Sequence, residues 1–375
     1  MKAKSILLYM LPIAFLAILY LPLINGGLNI WQFERKNENR VYRDSVEVDL
    51  NHLDAFPNDF DTYFADNISF RTPLLDAFHN IKFSYFKISP HPDRMFVGYD
   101  NWCFLSTDEK KIYSGELDFS LNDLEKLKIE WTRRKHFLDS LKIPFYWLIS
   151  PCKHNVYDNK IPFNILKSDT SRTRKIIQHL KPVLNDQIID PTQTFIENRE
   201  NTDLFYRLDN HWNYEGGHLA SKILHDRINQ DFGSHTAQFP EITWKDSVRT
   251  IGIHLSLIGI DGLGDPFKYP LIQNETATEA PKFNFPPTPG FAYPWEYEFR
   301  FIKKEPIKNG LRVLFIRDSF SGQMMPFTKE MFNETLYIFD AWQYLLNEDI
   351  ILKYKPDLVV FQGLETHIKA IIKDK

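Results

Sequence analysis

Two polar segments of the sequence contain the residue types of a hydroxyl-nucleophile site. Asp209 and His211 stand just ahead of a predicted helix, and Ser319 follows an apolar run roughly a hundred positions later. In such a site the serine hydroxyl is the nucleophile, the imidazole accepts its proton, and the carboxylate fixes the imidazole tautomer. Chain order does not argue against this interpretation, because triads are defined by geometry and role. The pattern therefore favours Ser319, His211 and Asp209 as catalytic residues.

Each of these residues also has an ordinary structural interpretation. Ser319 could help to cap the helix after its strand, and the loop around Asp209 could serve capping and packing, with Trp212 buried. A metal site made of Asp209, His211 and His218 is a weaker hypothesis, because the spacing matches no zinc motif and no further ligand is evident. We therefore expect no metal and no cofactor.

The elements that must position these residues are those of an α/β domain. Residues 122–141 have the amphipathic pattern of a helix, and residues 144–149 follow as a buried strand. The alternation continues with predicted helices at 172–184, 215–230 and 365–373 and predicted strands at 187–190, 312–316 and 357–361. This order predicts helices layered on a mostly parallel sheet.

Polar residues follow two further predicted strands. Lys153 and Tyr157 come shortly after the strand at 144–149, and Gln362 follows the last strand. Ligands bind at the carboxyl ends of strands in open α/β sheets. We therefore expect Lys153, Tyr157 and Gln362 near the substrate, and Trp212, next to His211, as a further binding residue, whereas His154 is expected in a solvated loop.

A long segment, residues 233–310, interrupts this alternation between the histidine and the serine. It is rich in glycine and proline, and near its end residues 295–301 alternate as a strand does. Long loops in compact domains are often functional. We expect a surface excursion that forms part of an acceptor groove, with Trp295 as a binding residue because aromatic faces suit the C–H faces of sugar rings.

The N-terminal region predicts membrane attachment. Lys2 and Lys4 precede an almost uninterrupted apolar run, residues 5–24, which is about the length that spans a bilayer. The lysines should remain in the cytoplasm, so the rest of the chain lies outside it. A cleaved signal peptide is the alternative, but no small-x-small cleavage site follows the run. We favour an uncleaved anchor at 1–27.

Composition and patterning set the remaining domain boundaries. Residues 28–90 are expected to be a tether and a helical segment, with helical signals at 51–87 and a second helix at 74–86. Residues 91–375 are expected to form the α/β domain, which begins with a hairpin at 94–105.

The net charge of -4 gives no reason to expect nucleic acid as a partner. Cys103 and Cys152 are too few for a disulfide framework, and a single bridge between them is a less favoured possibility.

Several short motifs resemble, in order, those of the alginate O-acetyltransferase AlgJ/AlgX family. They are NISFRTPLL at 67–75, VGYDNWCFL at 97–105, PCKHNVY at 151–157, DNHWNYEGG at 209–217 and RDSFS at 317–321. The fourth, similar to DTHWNxxGA, is the most specific. The resemblance runs from about Phe56 to the end of the chain. One departure is Arg317, which stands where the family has the glycine of its GDS turn.

The resemblance implies a three-layer SGNH hydrolase-like domain behind a single transmembrane helix. It implies Asp209 and His211 as the acidic and basic triad members and Ser319 as a nucleophile that is acetylated and then passes acetyl to a sugar hydroxyl of an exported polysaccharide. A multi-pass membrane O-acyltransferase would bring the acetyl group across the inner membrane into the periplasm. Arg317 could offer a cation to an anionic substrate.

Two other functions remain open at this stage. A carbohydrate esterase would use the same triad and pass acetyl to water, since both reactions go through an acyl-serine. An inert glycan-binding or assembly protein of an export complex is the third hypothesis, and the presence of Asp209, His211 and Ser319 argues against it.

Overall fold

A computed structural model describes residues 2–35, 41–48, 53–250, 258–260 and 262–373. The chain divides into two compact units, one comprising Met1–His91 with Ser256–Asp261 and the other comprising Pro92–Leu255 with Gly262–Lys375. The first contains the residues of the expected anchor, tether and helical segment. The second contains both segments of the expected triad.

The regular secondary structure of the first unit, where the unit is described, is helical. Its helices are α1 (Lys2–Leu28), α2 (Phe56–Asn67) and α3 (Arg71–Asn80), and α3 continues into a π-helical turn at Ile81–Tyr85. Within α1 the stretch Tyr9–Leu28 is long and apolar enough to cross a membrane, with a mean hydropathy of 1.9. Length and composition alone do not distinguish an anchor from a signal sequence.

The helical prediction for residues 51–87 differs from the structure in its boundaries. Residues 51 and 52 lie outside the described part, as do positions 36–40, 49 and 50 of the expected tether. The second helix begins at Arg71 rather than at Leu74. Pro73 therefore lies inside the first turn, where its missing N–H removes no helical hydrogen bond.

The second unit contains the remaining helices and all the strands of the described residues. The helices are α4 (Asp108–Ser114), α5 (Leu121–Ser140), α6 (Lys153–Val156), α7 (Arg172–Leu184), α8 (Thr192–Asn198), α9 (Tyr214–Phe232), α10 (Ser321–Thr328) and α11 (Glu348–Tyr354). The strands are β1 (Met95–Val97), β2 (Cys103–Leu105), β3 (Phe145–Ser150), β4 (Ile188–Ile189), β5 (Ile242–Arg249), β6 (Asp265–Ile272), β7 (Ala277–Glu279), β8 (Glu298–Lys303), β9 (Arg312–Arg317), β10 (Glu334–Phe339) and β11 (Leu358–Leu364).

Seven of the described strands form the central sheet, in the order β4-β3-β11-β9-β10-β8-β7. The first five run parallel to one another, and β8 is antiparallel to both β10 and β7. The predicted α/β domain with a mostly parallel sheet is confirmed. Strand β10 was not predicted, and it pairs with the serine strand β9 over six residues.

Helices cover both faces of this sheet, and its strands are therefore buried on both sides. In β9, Val313 and Phe315 join one hydrophobic cluster and Leu314 and Ile316 join the other. The first cluster includes apolar residues of α6, α8, α9 and α10, and the second includes those of α5, α7 and α11. A 3-10 helix at Glu365–Ile372 replaces the predicted α-helix at the end of the chain and also packs on the second cluster.

The segment 233–310 differs from the expected surface excursion. Its part from Ala277 to Lys303 supplies β7 and β8, which complete one edge of the central sheet. Its earlier part forms a separate antiparallel ribbon, in which β5 and β6 pair over eight residues. The hairpin predicted at 94–105 is present as β1 and β2, with Met95 opposite Leu105.

Candidate active site

The serine turn follows the carboxyl end of β9 and is built around a buried carboxylate. Ser319 lies between Asp318 and Phe320, and α10 begins at the next residue. Both carboxylate oxygens of Asp318 accept hydrogen bonds, from Phe320 N (2.9 Å), Gln362 Nε2 (2.8 Å), Leu364 N (2.6 Å) and Tyr344 Oη (2.9 Å). Four donors satisfy this buried anion. They fix the backbone on both sides of Ser319 and so fix the position of its hydroxyl.

The loop that carries the acid and base leads into α9. Asn213 caps this helix, since its Oδ1 accepts the Gly216 N–H at 3.0 Å. Gly217 lets α9 approach the serine helix α10, because a Cβ there would lie 2.3 Å from the carbonyl oxygen of Gln323. The buried Trp212 then joins the two loops by donating its Nε1–H to Phe320 O at 2.7 Å.

Asp209, His211 and Ser319 form a continuous hydrogen-bonded chain. His211 Nε2 lies 2.7 Å from Ser319 Oγ, and His211 Nδ1 lies 2.6 Å from Asp209 Oδ1. The same carboxylate oxygen also accepts the His211 backbone N–H at 3.0 Å. Asp209 is fully buried and His211 is nearly so. The arrangement can transfer a proton from the serine hydroxyl to an imidazole whose tautomer the carboxylate sets.

A cation that the sequence analysis missed lies on the outer oxygen of the acid. Arg249, the last residue of β5, places Nη2 3.2 Å from Asp209 Oδ2. Its guanidinium carbon also lies 4.7 Å from the centre of the Tyr206 ring. One carboxylate oxygen therefore serves His211 and the other faces Arg249. The local sequence around Arg249 contains no motif that would have identified this contact.

Two buried charges of opposite sign hold the backbone of the triad loop. The Asp265 carboxylate accepts the N–H groups of Leu208 at 2.7 Å and Arg207 at 3.2 Å. Lys153 Nζ donates to the carbonyl oxygens of Arg207 and Asp209, both at 2.9 Å. Burial lowers the pKa of Lys153 to about 8 and raises the pKa of Asp265. These ions bind backbone groups and thereby set the position of the loop.

Comparisons with known proteins agree with this architecture. Residues 95–284 match the family described as SGNH hydrolase-like domain, acetyltransferase AlgX. The chain belongs to this family. The match includes Asp209 and His211 and ends before Ser319, so the position of the serine rests on the geometry above. Among the curated proteins, none matches this chain.

Several solved structures are similar to the chain at low sequence identity. Bacillus cereus PatB1 is 17% identical with a TM-score of 0.54, and the alignment covers 75% of this chain and 99% of that chain. A DHHW family protein from Eubacterium siraeum is 16% identical with a TM-score of 0.53, covering 76% and 96%. The O-acetyltransferase domain of Pseudomonas putida AlgJ is 13% identical with a TM-score of 0.48, covering 73% and 92%. At these identities PatB1 and the DHHW family protein support the fold.

Four residues expected to bind substrate are instead buried supports in this member of the AlgX family. Trp212 and Lys153 have no exposed surface, Tyr157 is 2% exposed and Gln362 is 1% exposed. Tyr157 stacks on Trp102 at 4.0 Å between ring centres, and its hydroxyl accepts the Leu204 N–H. The expectation that these four residues bind substrate is therefore corrected. A position near the end of a strand does not show whether a side chain faces the surface at that end of the sheet or is buried below it.

Two histidines also differ from the earlier interpretations. His154 was expected in a solvated loop, but it is fully buried, with Nε2 2.9 Å from Leu105 O and Nδ1 3.2 Å from Glu109 Oε2. His218, in α9, packs against aromatic rings, which include Phe239 and Trp244. Burial lowers the pKa of His218.

The two cysteines are free thiols in the structure. Cys103 and Cys152 are both buried. Burial raises the pKa of Cys103 to about 12 and that of Cys152 well above its ordinary value. Both side chains therefore behave as small apolar groups of the core.

Arg317 is accommodated without a glycine-like backbone. It is the last residue of β9 and pairs with Phe339 of β10, so its conformation is that of a strand. Its guanidinium carbon lies 4.7 Å from the centre of the Phe339 ring, and Nη2 donates to Glu296 O at 3.2 Å. The side chain is 4% exposed, and burial lowers its pKa to about 10. A direct contact between Arg317 and an anionic substrate is therefore not supported.

Trp295 is the one residue of the predicted binding set with a largely open face. It is 44% exposed, and its ring centre lies 5.3 Å from that of Phe339, at the carboxyl end of β10. Since β10 is the neighbour of the serine strand, this aromatic surface lies on the same edge of the sheet as Ser319. Its role in binding remains a proposal.

Proposed function

We propose that this AlgX-family protein is an O-acetyltransferase that passes acetyl through an acyl-serine at Ser319 to sugar hydroxyls of an exported or cell-surface polysaccharide. The observation that carries the proposal is the hydrogen-bonded chain from Asp209 through His211 to Ser319 Oγ. The family described as acetyltransferase AlgX supports acetyl as the group transferred.

In the first half-reaction, Ser319 Oγ attacks the carbonyl carbon of the donor ester while His211 Nε2 takes the hydroxyl proton. The Ser319 backbone N–H is available to stabilise the developing oxyanion. Collapse of the tetrahedral intermediate breaks the donor C–O bond, and the imidazolium gives its proton to the departing alkoxide. The products are acetyl-Ser319 and the free donor alcohol.

In the second half-reaction, a sugar hydroxyl replaces the donor alcohol. Its oxygen attacks the acetyl carbon while His211 Nε2 accepts the proton, and the bond from the acetyl carbon to Ser319 Oγ then breaks. The proton returns to Ser319, so the enzyme is regenerated and the sugar carries the ester. Asp209 remains ionised throughout and stabilises the imidazolium in both steps.

The apolar helix α1 supports an extracytoplasmic location on the inner membrane. Lys2 and Lys4 at the start of this helix favour a cytoplasmic N-terminus, and the second unit would then lie on the opposite side of the membrane. A cytoplasmic acetyl donor would then have to cross the bilayer. A multi-pass membrane O-acyltransferase is the partner that we propose for that step.

The acyl-serine can be tested by incubating the full chain, in detergent, with a p-nitrophenyl acetate donor and measuring its intact mass. We expect a gain of one acetyl group on the peptide that contains Ser319, and a sulfonyl fluoride should label the same residue. Ser319→Ala should abolish both additions, and His211→Ala should prevent them because the nucleophile is no longer activated. Ser321→Ala is a matched control on the same peptide and should retain the addition.

Adding glycan oligomers then distinguishes the two reactions that an acyl-serine allows. Transfer gives acetylated oligomers by mass spectrometry, whereas an esterase gives free acetate at a rate that the oligomers do not change. Retention of the acetyl adduct in Ser319→Ala would overturn the assigned nucleophile. Failure of the parent protein to form any adduct would favour an inert glycan-binding role.

A further inference from the structure

The loop after β10, residues 340–347, has an unusual backbone. Trp342, Tyr344 and Asn347 have positive φ angles of 67°, 47° and 57°. Asparagine adopts this left-handed conformation readily, but bulky aromatic residues rarely do. Such conformations persist where the surrounding structure enforces them, and they cluster at functional sites. Two strained aromatic residues in one short loop call for a functional explanation.

The buried carboxylate of Asp340 holds this loop in place. It accepts the Leu345 N–H at 2.7 Å, the Asn347 side-chain amide at 2.9 Å and the Tyr293 hydroxyl at 2.7 Å. Arg134, fully buried under the loop, donates to Tyr344 O. The strain is therefore maintained by polar contacts on several sides.

The two strained aromatic residues point in different directions. Tyr344 is buried, and its hydroxyl donates to Asp318 Oδ2 at 2.9 Å, directly beside the nucleophile. Gly363 leaves room for this ring, since a Cβ there would lie 2.7 Å from Tyr344 Cε1. Trp342 instead keeps 37% of its surface exposed. One short loop thus connects the serine turn to an exposed indole.

Trp342 forms one wall of an open cavity of about 450 Å³. Thr366, His367 and Lys369 line it from the 3-10 helix that follows β11, and Asp123 lines it from α5. His367 Nδ1 lies 3.2 Å from the Tyr344 hydroxyl, which also bonds Asp318. The cavity is therefore two hydrogen bonds away from the residue that precedes Ser319.

The aromatic surface continues beyond the cavity. The rings of Trp295 and Trp342 are nearly parallel, with an interplanar angle of 23° and 6.2 Å between their centres. Both indoles are partly exposed. The stacked pair is a partly exposed aromatic surface beside polar groups, which suits sugar rings because their C–H faces are apolar and their edges carry hydroxyls.

We propose that the cavity walled by Trp342 and His367 is the acceptor subsite, in which one sugar ring stacks on Trp342 and the chain continues over Trp295. Thr366, His367 and Lys369 are positioned to hydrogen-bond hydroxyls of the ring. The occupant is a carbohydrate chain that reaches Ser319 from the side of β10 and β11. This inference rests on the proposed function, since it assigns the acceptor of the same reaction.

Binding can be measured without acetyl transfer by ¹⁹F NMR of the full chain labelled with 5-fluorotryptophan. Trp342→Phe and Trp31→Phe identify two resonances by their loss. The ligands are hexasaccharides of β-linked glucose, N-acetylglucosamine and a uronic acid. We expect at least one to shift the Trp342 resonance saturably. Trp31, 48% exposed in the first unit, is the internal control and should not shift.

A second measurement tests function at this subsite. Trp342→Ala should lower the ratio of acetyl transfer to hydrolysis by about tenfold, which corresponds to about 1.4 kcal/mol, with partial recovery in Trp342→Phe. Phe163→Ala, a control at a residue 87% exposed, should leave the ratio unchanged. No shift of the Trp342 resonance with any hexasaccharide would overturn the subsite. If Trp342 shifts while the parent protein forms no acyl-serine, glycan binding at this cavity stands, whereas the proposed enzymatic function and the acceptor role of the cavity fail.

Discussion

Replacing the lysine beneath the triad loop with methionine should destabilise the protein and slow acyl-serine formation together. Lys153 Nζ donates to the carbonyl oxygens of Cys103 at 2.8 Å and of Arg207 and Asp209 at 2.9 Å. Methionine has a similar length and donates no hydrogen bond, so Lys153→Met leaves the carbonyls of Cys103 and Asp209 without a donor, whereas Arg207 O still accepts the Cys103 N–H at 2.9 Å. At about 2 kcal/mol each, the two carbonyls weaken the fold by about 4 kcal/mol.

Part of this loss is offset, because burying the ammonium is itself unfavourable. The pKa of Lys153 falls from 10.5 to about 8. At about 1.4 kcal/mol per unit, removal of the charge returns about 3 kcal/mol. The net decrease in the free energy of unfolding is about 1 kcal/mol. For a unit of this size we expect a Tm lower by roughly 2 to 3 °C.

Thermal melting and the rate of acyl-serine formation should be measured on the same samples. The rate should fall by at least about tenfold, because small displacements of catalytic groups are costly. Lys167→Met is the matched control, since Lys167 lies on the surface and pairs with Asp158 at 2.7 Å; its effect should stay within about 0.5 kcal/mol. An unchanged Tm with a lost rate would mean that Lys153 acts in the chemistry. Unchanged values of both would refute the anchoring role.

Further predictions concern the triad acid, its cation, the titration of the buried lysine and the exposed indole. Asp209→Asn should slow acyl-serine formation by about 10⁴-fold, measured by intact mass against time, while the slow product still maps to Ser319. Arg249→Gln should slow the same step by about tenfold, because the outer oxygen of Asp209 loses its cation, and no loss would show that the contact is dispensable. Because the folded pKa of Lys153 is about 8, below its unfolded value, the unfolded chain binds more protons between about pH 8 and 10.5. This group should make the free energy of unfolding increase over that range, by at most about 3 kcal/mol, and urea titrations of Lys153→Met should lack the increase. Trp295→Ala should reduce transfer to glycan oligomers more than hydrolysis of the small ester, whereas an equal loss of both would indicate a folding role.

The layered fold could be predicted where local sequence and tertiary burial agree. The helix predicted at 172–184 coincides with Arg172–Leu184, where Ser171 caps the first turn through its side chain. Strand β9 was predicted because the four residues between Arg312 and Arg317 are all apolar. In both cases the periodicity of apolar residues matches the faces that the fold buries.

Long-range pairing explains most of what could not be predicted. Strand β10 is a short run after Asn333, and its neighbours β9 and β8 decide that it is a strand. The segment 233–310 was interpreted as an excursion because its prolines and glycines suggest loops, although its later part forms a sheet edge. Arg249 reaches Asp209 from a ribbon whose pairing no local pattern specifies.

The residues of the candidate site could be predicted from the sequence, but the sequence did not show which of them form the triad's buried support and which could contact substrate. Ser319, His211 and Asp209 were proposed from chemistry and come within hydrogen-bond distance of one another. Gln362 was expected at the rim, and its side chain instead bonds Asp318 beneath the serine. In the sequence, a buried polar residue that supports the site cannot be distinguished from a polar residue that contacts the substrate, because both stand near the end of a strand.

The segment PCKHNVY shows why burial must decide between these roles. Lys153 contacts the backbone of Arg207 and Asp209, and Tyr157 accepts the N–H of Leu204 at the start of the same loop. Both side chains therefore act on the triad by fixing the backbone that carries it. Substitution of either should alter folding and catalysis together. An exposed residue such as Trp295 can change acceptor binding while the fold is preserved, and this difference in measured response separates a supporting residue from a binding residue.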